Sequence, residues 1–216
     1  MKPLLTFFLL FLISSCASLD TSRIAPGYIQ AFNAMKQLLT GVEVNFSPET
    51  IQKIPYASML VRIGDGPTAL MILESQINEN YTWVSADGVY LVINSGKIIK
   101  TQGLNNNLKE KLEPSIEWND YSYGKQEYIS YNSFSLPTLD NLKVISTYHQ
   151  KGINETQLMF GIKNLTVIEE KIIAEEVAWK ETNKYWLDDS DFVWKSIQYV
   201  SPRLPEFYLE VTKKPL

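Results

Sequence analysis

The chain has 216 residues, of which 45% are hydrophobic and 20% charged, and its formal net charge is −4 at pH 7. This length and apolar content suffice for one buried core or a compact pair of domains, and they exclude a disordered chain. The acidic balance disfavours nucleic acid as a partner. It also disfavours purely electrostatic binding of an acidic glycan, so any contact with a sugar has to use aromatic faces and hydrogen bonds.

The N-terminal segment has the pattern of a bacterial lipoprotein signal peptide. Lys2 precedes an apolar stretch over residues 4–13, and Ser14, Ser15 and Cys16 follow it. At about 1.5 Å per residue such a helix spans roughly 15 Å, half of a hydrocarbon core, so it is too short for a transmembrane anchor. We therefore predict cleavage before Cys16, with residues 1–15 as the signal peptide. The alternative is an ordinary secretory signal with a chance cysteine.

Cys16 is the only cysteine of the chain. The resemblance to lipoproteins implies a diacylglyceryl thioether on its sulfur and an acyl group such as palmitate on its amine. Several acyl chains, at about 0.8 kcal/mol per buried methylene, anchor a protein in effect permanently. Ala17 follows in place of Asp, which implies delivery to the outer membrane. A single cysteine excludes an intramolecular disulfide, and its acylation excludes thiol catalysis.

Two short helices are predicted before the first strand. Pro26 begins a segment with apolar residues at helical spacing, and Gly41 ends it, which predicts an amphipathic helix of about three turns. The polar face carries only Lys36 as a cation, so packing on the domain is favoured over the alternative, a membrane-surface helix. Ser47 and Pro48 are typical of an N-cap and first turn and predict one further helical turn.

From residue 56 onward, apolar and polar residues alternate, with turn signals about every ten residues. This pattern predicts a meander of antiparallel strands. The predicted strands span residues 56–63, 68–75, 81–85, 89–94, 97–101, 125–136, 142–150, 156–163 and 207–212, with a hairpin over 185–194. Residues 168–179 fit both helix and strand, and propensity slightly favours helix. Residues 104–123 are polar and irregular, and the three asparagines at 105–107 are interpreted as a turn.

Residues 54–66 (IPYASMLVRIGDG) and 83–108 (WVSADGVYLVINSGKIIKTQGLNNNL) resemble the group 4 capsule polysaccharide lipoprotein family. The position of Cys16 and the strand at 186–188 extend the resemblance over most of the chain. It implies a mainly β, antiparallel, barrel-like or half-barrel domain over residues 26–216, after a lipidated tether at 16–25. It also favours strand for residues 168–179.

The same resemblance implies a domain held in the periplasm by its lipid and a role in making or exporting extracellular polysaccharide. It brings no catalytic residues that can be transferred. Candidate partners are the membrane, through the lipid on Cys16, and export proteins or the exopolysaccharide itself.

Residue types that bind metals are sparse. His149 is the only histidine, which excludes catalytic triads and His-rich metal motifs, and it falls in a predicted strand. Asp188, Asp189 and Asp191 lack the spacing and the glycine of a calcium loop, so they are interpreted as turn residues. The sequence predicts no metal site and no cofactor.

Glycoside cleavage needs two carboxyl groups about 5–10 Å apart across a cleft. Glu169 and Glu170 are neighbours whose side chains point to opposite faces of a strand, so they do not form such a pair. Acids that are distant in sequence and meet in the fold stay open as an alternative. We predict no catalytic residues and a protein that is not an enzyme.

Five tryptophans and twelve tyrosines give the domain many aromatic side chains. Most of them are assigned to the core. Trp118, Tyr121 and Tyr123 lie among polar residues of the middle segment, so they are predicted to be an exposed set that contacts a glycan or a partner.

Three functions from different classes are open. The first is a non-enzymatic outer-membrane lipoprotein that acts as an accessory or assembly factor in capsule or exopolysaccharide export. The second is a lipid or lipoprotein carrier, which a continuous apolar cavity would favour. The third is a glycan-modifying enzyme, which requires carboxylates that converge in a groove.

Overall fold

The computed structural model describes residues 46–113, 118 and 126–215. They form one twelve-stranded antiparallel sheet. Strands that follow one another in sequence are hydrogen-bonded neighbours, except the fifth and the sixth, which are the two edge strands of the sheet. The first strand pairs with the last, and the two edge strands, the fifth and sixth, contact each other. The sheet is therefore nearly closed, which confirms the predicted antiparallel, barrel-like architecture. The predicted helix over residues 26–41 lies outside the described residues.

The elements are listed here in chain order. They are α1 (Pro48–Gln52), β1 (Ser58–Ile63), β2 (Ala69–Ile77), β3 (Asn80–Ser85), β4 (Tyr90–Asn94), β5 (Lys97–Gln102), β6 (Leu108–Leu112), β7 (Glu127–Phe134), β8 (Leu139–Leu158), β9 (Gly161–Ala174), β10 (Trp179–Leu187), β11 (Val193–Gln198) and β12 (Phe207–Lys213).

The short helix α1 begins where its cap predicts. The Ser47 hydroxyl accepts a hydrogen bond from the Thr50 amide at 3.3 Å, and Pro48 occupies the first turn, where a missing amide hydrogen has no cost. Ile51 is the buried residue of this helix. The helix leads into β1.

Two expectations about strands need correction. The middle segment predicted to be irregular contains β6. Residues 142–150 and 156–163 are not two strands that a turn near Gly152 separates, because β8 runs through to Leu158 and turns at residues 159–160. Gly152, with φ 95°, lies at a register shift between β8 and β9. It therefore forms a β-bulge, which uses the same backbone freedom as a turn.

Residues 168–179 are strand up to Ala174, as the family resemblance implied. A 3-10 turn over Glu175–Val177 follows, and Ala178 adopts a left-handed conformation before β10 begins. The helical alternative for this segment is wrong, because residues 166–174 pair with β10 along their whole length.

Because sequential antiparallel strands reverse at every connection, the hairpin turns alternate between the two ends of the sheet. One end carries the turns at residues 78–79, 95–96, 159–160 and 188–192, together with the start of β1 and the end of β12. We call this end the mouth. The described chain enters the domain at the mouth through α1.

The interior has two chemically different parts. Beneath β1–β5 and β12 it is filled by an apolar cluster that includes Met59, Met71, Leu91 and Phe207. Beneath β6–β11 two smaller apolar clusters are mixed with buried polar side chains such as Ser146 and Asn183. Among the described residues, Glu170 is the one carboxylate that is fully buried.

Candidate functional site

Glu170 lies on the inward face of β9 and is 1% exposed. One carboxylate oxygen accepts hydrogen bonds from the Ser146 hydroxyl at 2.8 Å and the Tyr148 hydroxyl at 2.6 Å. The other accepts from the Asn183 amide at 2.9 Å and the Tyr185 hydroxyl at 2.7 Å. All four donors lie on β8 and β10, the strands that flank β9. They converge because same-face neighbours on adjacent strands are either directly opposite or two residues away.

Two lysines from the edge strands complete the cluster. The Lys97 ammonium on β5 lies 2.9 Å from the Tyr148 hydroxyl and 3.8 Å from a Glu113 oxygen. Lys111 on β6 lies 2.8 Å from the same Glu113 carboxylate. Burial would raise the pKa of Glu170, but Lys111, Lys97 and the hydrogen bonds outweigh it and lower that pKa to about 2. Burial lowers the pKa of Lys97.

These contacts define what Glu170 does chemically. A general acid or base needs a pKa near the working pH and access to the reacting atom. Glu170 is ionised, and both of its oxygens are occupied by protein donors. The space beside it is about 20 Å³, room for no more than about one water molecule. We call Glu170, its four donors, Lys97, Lys111 and Glu113 the Glu170 cluster. Its role is structural, because it connects β5 and β6 to β8, β9 and β10 through the interior, and in this sense it braces the sheet.

Trp118 is not exposed, and the prediction that it belongs to an exposed aromatic set is wrong. It is 5% exposed, its indole nitrogen donates to the Ser95 carbonyl at 3.0 Å, and its ring centroid lies 4.9 Å from that of Tyr185. Polar sequence neighbours suggested exposure, but the one polar atom of the ring has a backbone partner, so the ring can be buried. Tyr121 and Tyr123 lie outside the described residues.

The other candidates from the sequence occupy surface positions. His149 lies on β8 opposite Glu169, on the face away from Tyr148. Asp188 caps its own turn, where its carboxylate accepts hydrogen bonds from the Ser190 amide and hydroxyl and from the Trp194 indole. Partial burial opposes ionisation, but these hydrogen bonds hold the pKa of Asp188 below its usual value. This supports the interpretation of residues 188–191 as a turn.

A cavity of about 360 Å³ opens at the mouth, within the size range of small-ligand sites. We call it the mouth cavity. Its walls include the aromatic side chains of Tyr81, Trp83, Phe192 and Trp194. The Phe192 and Trp194 rings meet edge to face, with centroids 5.2 Å apart. The bond from the Trp194 indole to Asp188, at 2.8 Å, holds that ring in place.

Trp83 has an unusual environment within this wall. Its side chain is 3% exposed, and its indole N–H has no hydrogen-bond acceptor among the described residues. A buried donor without a partner costs about 1–3 kcal/mol, so such groups are rare and call for an explanation. The sequence analysis assigned most of the aromatic side chains to the core, and no local signal separates Trp83 and Trp194 from the other tryptophans.

One close approach shapes the mouth. Gly96, in the turn between β4 and β5, has φ +80°, and a Cβ atom there would lie 2.3 Å from a methyl group of Val193. The glycine lets this turn pack directly on the start of β11. Both residues also line the mouth cavity.

Within the described part of the chain, no group of three or more His, Cys, Asp and Glu side chains is placed to hold a metal ion. None of the described helices is long and apolar enough to cross a membrane.

The fold and its interior define a small antiparallel β-domain whose centre is filled by side chains and whose ligand-sized space lies at one end. The chain belongs to the family described as group 4 capsule polysaccharide lipoprotein GfcB, YjbF, whose model matches residues 31–212.

Two relatives from Escherichia coli strain K12 are similar over most of the chain. The uncharacterized lipoprotein GfcB is 26% identical over 200 residues, 88% of this chain and 87% of that protein. The uncharacterized lipoprotein YjbF is 25% identical over 177 residues, 73% of this chain and 75% of that protein. The crystal structure of the hypothetical lipoprotein YmcC from Escherichia coli K12 has the same fold, with a TM-score of 0.69 and 20% identity over 86% of this chain and 97% of that chain.

Proposed function

We propose that this protein is an outer-membrane lipoprotein, anchored through Cys16, that acts as a non-enzymatic accessory or assembly factor in capsule or exopolysaccharide export. The observation that carries the proposal is the family match over residues 31–212, whose description names both a lipoprotein and capsule polysaccharide. The domain would face the periplasm. Its partners would be other export components or the passing polymer.

The path of the described chain indicates at which end of the domain the N-terminal anchor segment is connected. The described chain enters the domain at the mouth, because α1 and the start of β1 lie there. The segment that links Cys16 to the described domain would therefore join that domain at the mouth.

The interior supports a non-catalytic role. The carboxylate most strongly perturbed by burial and charge, Glu170, is fully engaged by protein donors and has no space for a substrate beside it. The carrier alternative requires a continuous apolar cavity. The charged cluster at Glu170 interrupts the interior, and the mouth cavity carries Glu79, Asp191 and Lys195 in its lining, so this alternative is not favoured.

The anchor is tested by Cys16→Ala in the native host, with Ser18→Ala as the matched control. We expect Cys16→Ala to abolish palmitate labelling and to leave the uncleaved precursor, whereas Ser18→Ala is labelled and processed. Normal labelling of Cys16→Ala would overturn the anchor.

The export role is tested by deleting the gene and restoring it on a plasmid. We expect less polymer on the surface with no loss of its intracellular precursors, and restoration by the wild-type gene but not by Cys16→Ala. Unchanged surface polymer after deletion would overturn the export role.

A further inference from the structure

We infer that the mouth cavity is a saccharide-binding site that receives a short segment of the exported polymer. This inference rests on the proposed function for the source of the sugar, while the chemistry of the site comes from the cavity itself. Three features carry it: the aromatic walls, the polar rim and the buried donor of Trp83.

The aromatic walls suit the flat faces of sugar rings. Tyr81 and Trp83 come from β3, Trp194 comes from the start of β11, and Phe192 comes from the turn just before it. Aromatic side chains from two separate parts of the sheet therefore line the same space. Trp194 is fixed by its hydrogen bond to Asp188 and by edge-to-face contact with Phe192. Rigid aromatic walls bind with little loss of side-chain freedom.

Side chains that can exchange hydrogen bonds with hydroxyl groups surround these walls. Gln76, Asn78 and Glu79 lie around the turn between β2 and β3, while Asp191 and Lys195 lie on the opposite side of the mouth. All five residues also line the cavity. Together they offer acceptors and donors, the combination that several hydroxyl groups on one ring require.

A ligand oxygen that reaches the indole N–H of Trp83, after a small movement of the side chains around it, would satisfy this donor. It is buried, its side chain lines the cavity, and it has no acceptor among the described residues. A hydroxyl or ring oxygen can accept this bond, whereas an acyl chain cannot. An acyl chain would also remove the surrounding amides and carboxylates from water without replacing their hydrogen bonds, which is unfavourable. The cavity therefore fits a sugar better than a lipid tail.

The test uses the indole N–H signals of the five tryptophans. The full-length lipoprotein, labelled with 15N-tryptophan in a detergent that contains no sugar, is titrated with oligosaccharides from partial hydrolysis of the host's own extracellular polysaccharide. We expect the Trp83 and Trp194 signals to shift, while the signal of Trp179, which is buried and does not line the cavity, stays in place. Absence of any shift at millimolar oligosaccharide would overturn the inference.

Two variants examine the donor and the rim. Trp83→Phe removes the N–H together with part of the buried indole. We expect about fivefold weaker binding, since the loss of one hydrogen bond is worth about 1 kcal/mol, and lower thermal stability from the space that the smaller ring leaves. Trp179→Phe makes the same change at a buried tryptophan that does not line the cavity, so it is the matched control and should bind as the wild type does. The double variant Glu79→Gln, Asp191→Asn should also bind more weakly. Equal affinity in all of these proteins would contradict the site.

Failures of the two proposals are distinguishable. If octanoate shifts the Trp83 signal and the oligosaccharides do not, the cavity is a lipid site and the inference is wrong, while the deletion phenotype still tests the export role. If the oligosaccharides bind but deletion leaves surface polymer unchanged, the export role fails and the sugar site stands. Shortening of the oligosaccharides during the titration would overturn the non-enzymatic assignment.

Discussion

Glu169 and Glu170 are consecutive in sequence, yet their carboxylates lie on opposite faces of β9 in opposite environments. Glu169 faces outward between Lys151 and Lys184, at 3.1 and 3.2 Å. Glu170 faces inward, 1% exposed. The alternation of a strand is the cause, because successive side chains point to opposite faces of a sheet. The same residue type is a surface ion-pair partner at one position and the centre of the interior brace at the next.

This contrast predicts different costs for the same substitution. We expect Glu170→Gln to lower the free energy of unfolding by about 3–5 kcal/mol, because it removes one buried counter-charge of Lys97 and Lys111 and leaves Glu113 to neutralise both lysines. Glu169→Gln should cost less than about 1 kcal/mol, since its partners are solvated. Urea denaturation of both variants measures the difference. Similar midpoints for the two variants would show that Glu170 does not brace the sheet.

Stability should depend on acid pH through Glu170. Its pKa is about 2 in the folded protein, below the ordinary value of 4.5, so the ionised form stabilises the fold above about pH 5. This contribution, about 3 kcal/mol, should disappear as the pH falls from about 5 to 2. Thermal unfolding across this range should show the loss in the wild type and a flatter profile in Glu170→Gln. Parallel profiles would contradict the assignment.

Gly96 should be less tolerant of alanine than Gly88. Both have positive φ, +80° and +84°, but a Cβ at Gly96 meets Val193 at 2.3 Å, whereas nothing lies within 4 Å of one at Gly88. We expect Gly88→Ala to cost about 1 kcal/mol from backbone strain alone. Gly96→Ala should cost about 1–3 kcal/mol more, because the turn must move away from β11. Chemical denaturation compares the two, and equal losses would show that the turn yields freely.

The stability of the protein should depend on Asn106, the middle residue of the turn at 105–107. The Asn106 side-chain amide donates to the Ser135 carbonyl at 2.7 Å, and its side-chain oxygen accepts from the Ser201 hydroxyl. Asn106 therefore links three loops at the end opposite the mouth: residues 103–107, 135–138 and 199–206. Asn106→Ala should cost about 1–3 kcal/mol because it leaves buried partners unpaired. Asn105→Ala, at an exposed position, should stay within about 0.5 kcal/mol of the wild type. Differential scanning calorimetry distinguishes them.

Much of the strand order follows from local patterns. Period-two alternation and tight-turn residues located β1 to β5, and the aspartate-rich turn located the hairpin of β10 and β11, because these signals depend only on neighbouring residues. Gly152 misled the strand prediction, since a positive φ serves a bulge as well as a turn. Trp118 misled the site prediction, since the carbonyl of Ser95, which lets its ring be buried, lies 23 residues away.

The sequence by itself determined the antiparallel β-class, most of the turns and the family, because these depend on spacing along the chain. It also predicts lipidation at Cys16, a property of a local motif that lies outside the described residues. Only the tertiary structure decided which side chains meet. Lys97 and Tyr148 are 51 residues apart in sequence and 2.9 Å apart in space. They meet because the sheet curls until its two edge strands are in contact. The local periodicity of the sequence does not predict that closure.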